Sequence, residues 1–528
     1  MSLLLPPRLD IVPADAPFSP HQRRLLNAFF LEVMLKTAPP PVAAPSVAPP
    51  PAAESTPWKD PALDIAERMT LAEGRPLLQR MSAAVAQQDC GQCGYLCSTY
   101  SQAIFDHAEP RLNLCVPGGK ATARMLKALV EEMGGGVLDP DEQAAKAAAA
   151  PKDDPGAPPG YSRAAPVKAR FVGRRRLNRE GSEKATCHIE IDLAGSGLAY
   201  AVGDSLGILP RNPPALADAI IAAVDVPPDF PIAGEPLRDV LIERASLAPA
   251  PDALFQFISY LTGGERRQKA KALAKGEDPD GDAETLDVLA ALQKFPGIRP
   301  DPEALIEVLE PLQPRLYSIS SSPKTQPGRV TLTVDRVNYV IDGRERLGVA
   351  STYLGDRIAA DADLLVYVQK AHAFGLPADG NTPIIMVGPG TGVAPFRAFL
   401  HERLATEAKG PAWLFFGHQR SACDFFYEEE WAMLRQRGAL THLSLAWSRD
   451  GATKTYVQDK MREHGAELWQ WLEQGAHFYV CGDAKRMAKD VETALTDIAA
   501  AHGGKSAAEA KAAIDALRQA GRYQADVY

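Results

Sequence analysis

No apolar run in this chain of 528 residues reaches the length of a membrane span, so no membrane-embedded segment is expected. Positive charge is in deficit: 57 Lys and Arg against 66 Asp and Glu leave a net charge of −9, which argues against generic nucleic-acid affinity and leaves only a local basic patch around Arg449 and Lys454. Cysteine is sparse, with seven in all, and Cys187, Cys423 and Cys481 are scattered. The odd total and the lack of a preceding signal peptide argue against a disulfide framework. A soluble, cytoplasmic protein is expected. Length and a hydrophobic content of 46% permit several domains with sizeable cores.

What is present begins with residues 383–397, an apolar run that breaks into Gly388, Gly390, Thr391 and Gly392 and then opens an amphipathic stretch near Ala394. Such a strand, turn and helix lets backbone amides approach a pyrophosphate, with the positive end of the helix aimed at the anion. A tight structural turn has the same composition, so downstream residues matter. Ser448, Arg449, Lys454, Tyr456 and Gln458 offer cations and hydroxyls suited to a phosphate monoester, which favours NADPH over NADH. The run Phe478–Asp483 reads as a buried strand that ends in Cys481, Gly482 and Asp483 at the ligand-binding edge of a parallel sheet. The chain ends on Tyr528, an aromatic that can serve as a lid or fray as termini do.

Upstream, Arg315-Leu316-Tyr317-Ser318 combines a strand pattern with a cation, a ring and a hydroxyl, followed by Thr331–Val334 and Gly348–Thr352. From about residue 163 onward these motifs resemble, in order and spacing, the ferredoxin-NADP reductase superfamily, and within it the flavoprotein subunits of bacterial sulfite reductases. The resemblance implies that Arg315, Tyr317 and Ser318 hold the FAD phosphate, flank the isoalloxazine and approach its reactive edge, with Thr333, Val334 and Tyr339 extending that contact. It implies that Gly348, Val349, Ala350 and Ser351 wrap the FAD pyrophosphate, and that Ser448, Arg449, Lys454, Tyr456, Gln458 and Asp490 contact NADPH. Tyr528 would cover the flavin, and Ser318, Cys481 and Asp526 would tune hydride transfer. Cys481 also has a plain reading as a small buried hydrophobe, and Ser318 as a strand-end hydroxyl.

The flavodoxin-like FMN domain that such subunits carry is not visible. In its place stand Cys90, Cys93 and Cys97, separated by two and three residues, with Cys115 after seventeen more. Four thiolates suit a [4Fe-4S] cluster or structural zinc; three close together with a distant fourth favours the cluster, because zinc sites usually present two separated pairs. The segment also resembles the four-cysteine cluster module of Rnf-type electron-transport complexes and corrinoid iron-sulfur proteins, although its second gap has three residues where that pattern often has four.

The expected plan is multidomain. Residues 1–37 hold a helix capped by Ser19, with Leu25, Leu26, Phe29, Phe30, Val33 and Met34 on one face; 38–74 form a Pro/Ala-rich linker; 75–135 form a small, mainly helical iron-sulfur module; and 136–162 form a second linker. Residues 163–380 are expected to be an antiparallel β-barrel for FAD, with a helical connecting insertion over about 214–309. An α/β parallel-sheet NADPH domain fills 381–528. The function expected is an NADPH-dependent oxidoreductase that passes electrons through FAD and the cluster to a partner. By resemblance that partner is the sirohaem hemoprotein of an assimilatory sulfite reductase. The alternatives are a nitrite reductase, an oxygenase or a ferredoxin as acceptor, or a zinc-bearing module with no redox role.

Overall fold

A computed structural model describes residues 56–134 and 158–528. The expected helix at 19–34 and the linker stretches 38–55 and 136–157 lie outside the described residues. Trp58–Tyr528 cohere as one unit.

Strands β1 (Val167–Arg176), β2 (Thr186–Asp192) and β3 (Ser205–Leu209) begin the FAD region. A two-residue hairpin of β4 (Pro231–Ile232) and β5 (Glu235–Pro236) lies within the helical insertion. The strand pattern then resumes with β6 (Arg315–Ser318), β7 (Arg329–Asp335), the hairpin β8 (Asn338–Ile341) and β9 (Arg344–Leu347), and β10 (Asp363–Gln369). Six of these form an antiparallel sheet in the order β6-β3-β10-β1-β2-β7. The expected barrel is not closed by a continuous ladder: past the end of β6 the chain meets β7 at the single bridge Ile319 to Leu332, followed by the Ser320 amide donating to the Thr331 carbonyl at 2.8 Å and side-chain hydrogen bonds of Ser320 and Ser321 with Thr331. Alternating apolar residues, among them Phe171, Ile189, Ile191, Leu206 and Ile208, fill the concave core.

The insertion supplies helices Pro214–Val224, Leu237–Glu243, Asp252–Leu261, Gly264–Ala274, Val288–Lys294 and Pro302–Glu307 around their own core. The carboxyl-terminal sheet is fully parallel, with β11 (Ile384–Val387), β12 (Ala412–His418), β13 (His442–Trp447), β14 (His477–Gly482) and β15 (Tyr523–Val527) in the order β13-β12-β11-β14-β15. Its central strand β11 is apolar throughout because both faces are covered: Ile385 and Val387 enter one core, while Ile384 and Met386 enter the other.

The cysteine segment folds as helices Leu77–Ala84, Cys97–Phe105 and Gly119–Glu132. On the last, Thr122, Leu126 and Leu129 share the buried face, and the Thr122 hydroxyl donates to the Ala84 carbonyl at 2.7 Å. Structure begins earlier than composition suggested. Helix Ile65–Leu71, capped by Asp64, falls within the stretch read as linker, and its Arg68 is buried and donates Nε to the Ala83 carbonyl at 2.9 Å.

Candidate functional site

The three residues singled out for hydride chemistry meet. Strand β6 delivers Ser318, β14 delivers Cys481, and β15 delivers Asp526, which is in register with Cys481. Ser318 Oγ donates to Asp526 Oδ2 at 2.6 Å, and Cys481 Sγ lies 3.8 Å from the same oxygen. Burial raises the Asp526 carboxyl above its ordinary range, against the lowering by Ser318 and Cys481; burial first, and then the Asp526 charge, push the Cys481 thiol well up. The thiol is therefore a neutral donor. Tyr528 ends the same edge with its hydroxyl 2.9 Å from Thr391 Oγ1, and about half of its surface (53%) is exposed.

Thr391 sits in the glycine turn, which the structure resolves into distinct roles. Gly390 has a positive φ of 58°. A Cβ on Gly392 would collide with the Cys481 carbonyl, so this glycine serves the packing of turn on strand, as does Gly388 against Phe396. A single turn, Gly390–Val393, leads into helix Ala394–Ala405, whose start is where the sequence placed it.

The phosphate-binding candidates lie at the carboxyl end of β13 and beyond. Ser448 Oγ donates to the His418 carbonyl at 3.3 Å, Arg449 pairs with Glu183, and Gln458 bonds to Asp490 at 3.2 Å. Lys454 and Tyr456 are exposed. These groups form a solvent-facing cluster in which Arg449 is already engaged by a carboxylate.

On the other side of β6 a cavity of about 480 Å³ opens between the insertion and the β8–β9 hairpin, lined in part by Arg315, Tyr339, Gly348, Val349, Arg344 and Arg346. Ala350 and Ser351 are buried behind it, with the Val337 amide donating to Ser351 Oγ at 3.2 Å. Thr333 and Val334 are buried in the sheet, and the Thr333 hydroxyl lies 2.7 Å from that of Tyr427. Tyr317 is raised by burial. Sequence reasoning missed Arg344 and Arg346. Their spacing of two on a strand puts both on one face, and Asp287 of the insertion binds both, Arg344 at 2.5 Å. Arg346 Nε is buried without a hydrogen-bond partner among the described residues. Three guanidinium groups around one cavity, one with an unsatisfied donor, suit the diphosphate of a flavin dinucleotide.

Cys90, Cys93, Cys97 and Cys115 all line one small cavity with Tyr95 and Tyr100. The turn between the first three runs through Gly91 and Gly94, with φ of 69° and 90°. Burial raises all four thiols, Cys93 and Cys97 to about 12. Backbone hydrogen bonds from Gln92 to Cys90, and from Ala86 and Gly118 to Cys115, offset part of this. Two guanidinium groups missed by sequence reasoning, Arg68 and Arg163, are near enough to favour the thiolate form, Arg68 at Cys115 and Arg163 at Cys93, while their hydrogen bonds go to neighbouring oxygen acceptors. Among the described residues, no three Cys, His, Asp or Glu side chains are gathered as they would be about a single metal ion.

Comparison with known proteins agrees with this division. Residues 160–290 and 246–353 match the FAD binding domain family, and residues 386–493 match the oxidoreductase NAD-binding domain family. The chain is 43% identical over 378 residues to the sulfite reductase [NADPH] flavoprotein alpha-component of Yersinia pestis bv. Antiqua, covering 70% of this chain and 61% of that protein. The Escherichia coli O157:H7 alpha-component is also 43% identical over 378 residues, with 70% and 62% covered. The chain thus spans about three fifths of the length of the curated relatives it matches; it is similar over that span to sulfite reductase flavoprotein alpha-components and matches an FAD-binding and an oxidoreductase NAD-binding family.

Proposed function

We propose that this chain is an NADPH-dependent flavoprotein reductase that passes electrons through FAD and a [4Fe-4S] cluster held by Cys90, Cys93, Cys97 and Cys115 to the sirohaem hemoprotein of a sulfite reductase. The observation that carries the reductase reading is the junction of Ser318, Cys481 and Asp526 under Tyr528, where the flavin strand β6 meets the carboxyl edge of the parallel sheet. The relatives at 43% identity, named as NADPH sulfite reductase components, support the donor and the acceptor.

When bound, FAD supplies hydride acceptance with single-electron release, and a cluster supplies a one-electron store. The chain's own residues bind and orient. Arg315 and Arg346 neutralise diphosphate charge in the cavity, while Gly348–Ser351 wrap it. Tyr317 and Tyr528 enclose the ring position, and Tyr528 must leave for nicotinamide to enter. Ser318 Oγ donates its proton in a hydrogen bond to Asp526 Oδ2, and burial keeps the Cys481 proton on sulfur, so the place where nicotinamide and flavin would meet is lined by neutral donors. Gly390–Gly392 and the following helix face the NADPH pyrophosphate, and Ser448, Arg449, Lys454, Tyr456, Gln458 and Asp490 form the contacts that discriminate its monoester phosphate. At the cysteine site, four thiols lining one small cavity, with backbone hydrogen bonds and two nearby guanidinium charges, suit an anionic thiolate-ligated cluster.

The test is the content of FAD, iron, sulfide and zinc in anaerobically purified protein, followed by NADPH addition. About one FAD and four irons per chain, with an electron paramagnetic resonance signal after reduction, are expected. In Cys93→Ser, NADPH should still bleach the flavin while transfer to a purified sulfite reductase hemoprotein is lost; survival of that transfer would overturn the cluster route.

A further inference from the structure

The cysteine site does not stand apart from the flavin region. Gln92, the middle of the loop between Cys90 and Cys93, is buried and donates Nε2 to the carbonyl of Pro314 at 2.6 Å. Pro314 immediately precedes Arg315, the first residue of the strand that carries Tyr317 and Ser318. The Gln92 carbonyl in turn accepts from Arg163 Nη1 at 2.8 Å, and Arg163 Nη2 reaches Gln313 Oε1 at 2.6 Å. One guanidinium thus ties the thiol loop to the residues leading into β6. At Gly91 the loop lies against the side chain of Gln369, the last residue of β10.

A second patch fixes the module from another direction. Arg124 makes a bidentate pair with Asp252 of the insertion at 2.8 and 2.7 Å, and Lys120 lies 5.7 Å from the centre of the Phe255 ring. Asn113 Nδ2 donates to Glu310 at 3.2 Å. Two separated contact patches remove rotation about either one. The Gln92 bond to Pro314 is buried and the Arg163 bonds are partly buried and charge-assisted, so they are costlier to break than the exposed Arg124–Asp252 pair, which adds a second point of attachment.

We propose that the cysteine module is a fixed relay, clamped to the start of the flavin strand by Gln92 and Arg163, so that electrons cross between the two centres at one constant separation without a swinging domain. This rests on the reading that the four cysteines hold a cluster. Oxidation of NADPH to NADP⁺ releases one proton and two electrons; with FAD and a cluster bound, the electrons would cross this joint singly, each crossing oxidising the flavin side by one electron and reducing the cluster side by one, and the external acceptor would then take that electron from the cluster. Gln92 and Arg163 are positioning residues, with the hydrogen bond from Gln92 to Pro314 as a direct bonded bridge between the two sides.

The experiment combines amide hydrogen exchange on the full-length holoprotein with the viscosity dependence of flavin-to-cluster transfer after rapid mixing with NADPH. In the wild type, residues 88–95 and 313–317 should exchange slowly, and transfer should be insensitive to added glycerol. Arg163→Ala should accelerate exchange of both segments together by about tenfold, as loss of a charge-assisted bond implies, while helix Gly119–Glu132 stays protected. Should that helix lose protection, Gln92→Ala makes the same cut without removing a charge. Fast, independent exchange of the two segments in the wild type, or transfer that slows in proportion to viscosity, overturns the fixed relay. Protein without iron and sulfide overturns the cluster reading and the relay with it, and is told apart because the exchange protection of the joint would remain.

Discussion

Ser318 and Asp526 are 208 positions apart, yet Ser318 Oγ donates to Asp526 Oδ2 at 2.6 Å and so joins the antiparallel sheet to the last strand of the parallel one. Removing the hydroxyl should act on chemistry more than on folding. In Ser318→Ala, stopped-flow reduction of bound flavin by NADPH is expected to slow by about tenfold or more, the scale of one charge-assisted hydrogen bond. FAD content should be unchanged. The carboxylate gives a pH signature. Burial raises its pKa in the fold, so Asp526 contributes fully below the unfolded aspartate value, and that contribution is lost as pH rises through the folded value. Asp526→Asn should therefore melt higher than the wild type at neutral pH, with the gain vanishing in acid.

Tyr528 is anchored only lightly at its tip, by the 2.9 Å bond to Thr391, and remains half exposed. A ring that must be displaced before nicotinamide stacks takes its displacement cost out of nucleotide affinity. Tyr528→Ala should bind NADP⁺ more tightly than the wild type, and Thr391→Ala should fall between them, as read by titration of the flavin spectrum.

Arg449 offers a test of the monoester site, because Glu183 of the β1–β2 connection already occupies its guanidinium and lies 4.0 Å from Arg420 as well. An incoming phosphate has to compete with that carboxylate. Exposed pairs of this kind are worth up to about 1 kcal/mol, so Glu183→Gln should lower KM for NADPH by up to about fivefold and leave NADH unaffected. Arg449→Ala should raise KM for NADPH alone.

The parallel-sheet domain was legible because each of its signals is local: apolar strands, a glycine turn and a helix start at Ala394 occupy consecutive residues. The convergence of Ser318, Cys481 and Asp526 was legible only through family resemblance, since nothing local links β6 to β15. Gln92 counted in the sequence only as part of the Cys-Gly-Gln-Cys-Gly-Tyr pattern, with no role of its own. It is one polar residue between two cysteines, and its meaning comes from a bond to Pro314 across 222 positions. The open edge of the antiparallel sheet was hidden for a related reason: alternation marks a strand but does not say whether the two edge strands ladder with each other. Arg344 and Arg346 stand two apart as a same-face pair that sequence reasoning passed over, and only the burial of Asp287 against them gives that pair a role.

A buried ionic lock between the FAD and NADPH regions should set how the protein fails in acid. Arg397 donates to the Ser320 carbonyl at 2.7 Å and to Glu430 at 2.7 Å, while Tyr427 meets Thr333 at 2.7 Å and His188 Nδ1 at 3.1 Å. Burial, followed by Arg397 and Arg175, lowers His188 from 6.5 to about 4. Burial would raise Glu430, but His401 and Arg397 overcome it and hold it at about 2, below its usual 4.5. Both folded pKa values are depressed, so both contributions are complete above the unfolded values and are lost as pH falls through the folded ones. His188 therefore governs the window from pH 6.5 to about 4, and Glu430 the window from 4.5 to about 2. His188→Gln keeps a polar partner for Tyr427 and never charges. It should match the wild type in urea unfolding at pH 8 and exceed it by up to about 3 kcal/mol near pH 4. Glu430→Gln should be weaker at neutral pH, where it strands the buried Arg397 charge, and should close the gap in acid as the wild-type carboxylate is protonated.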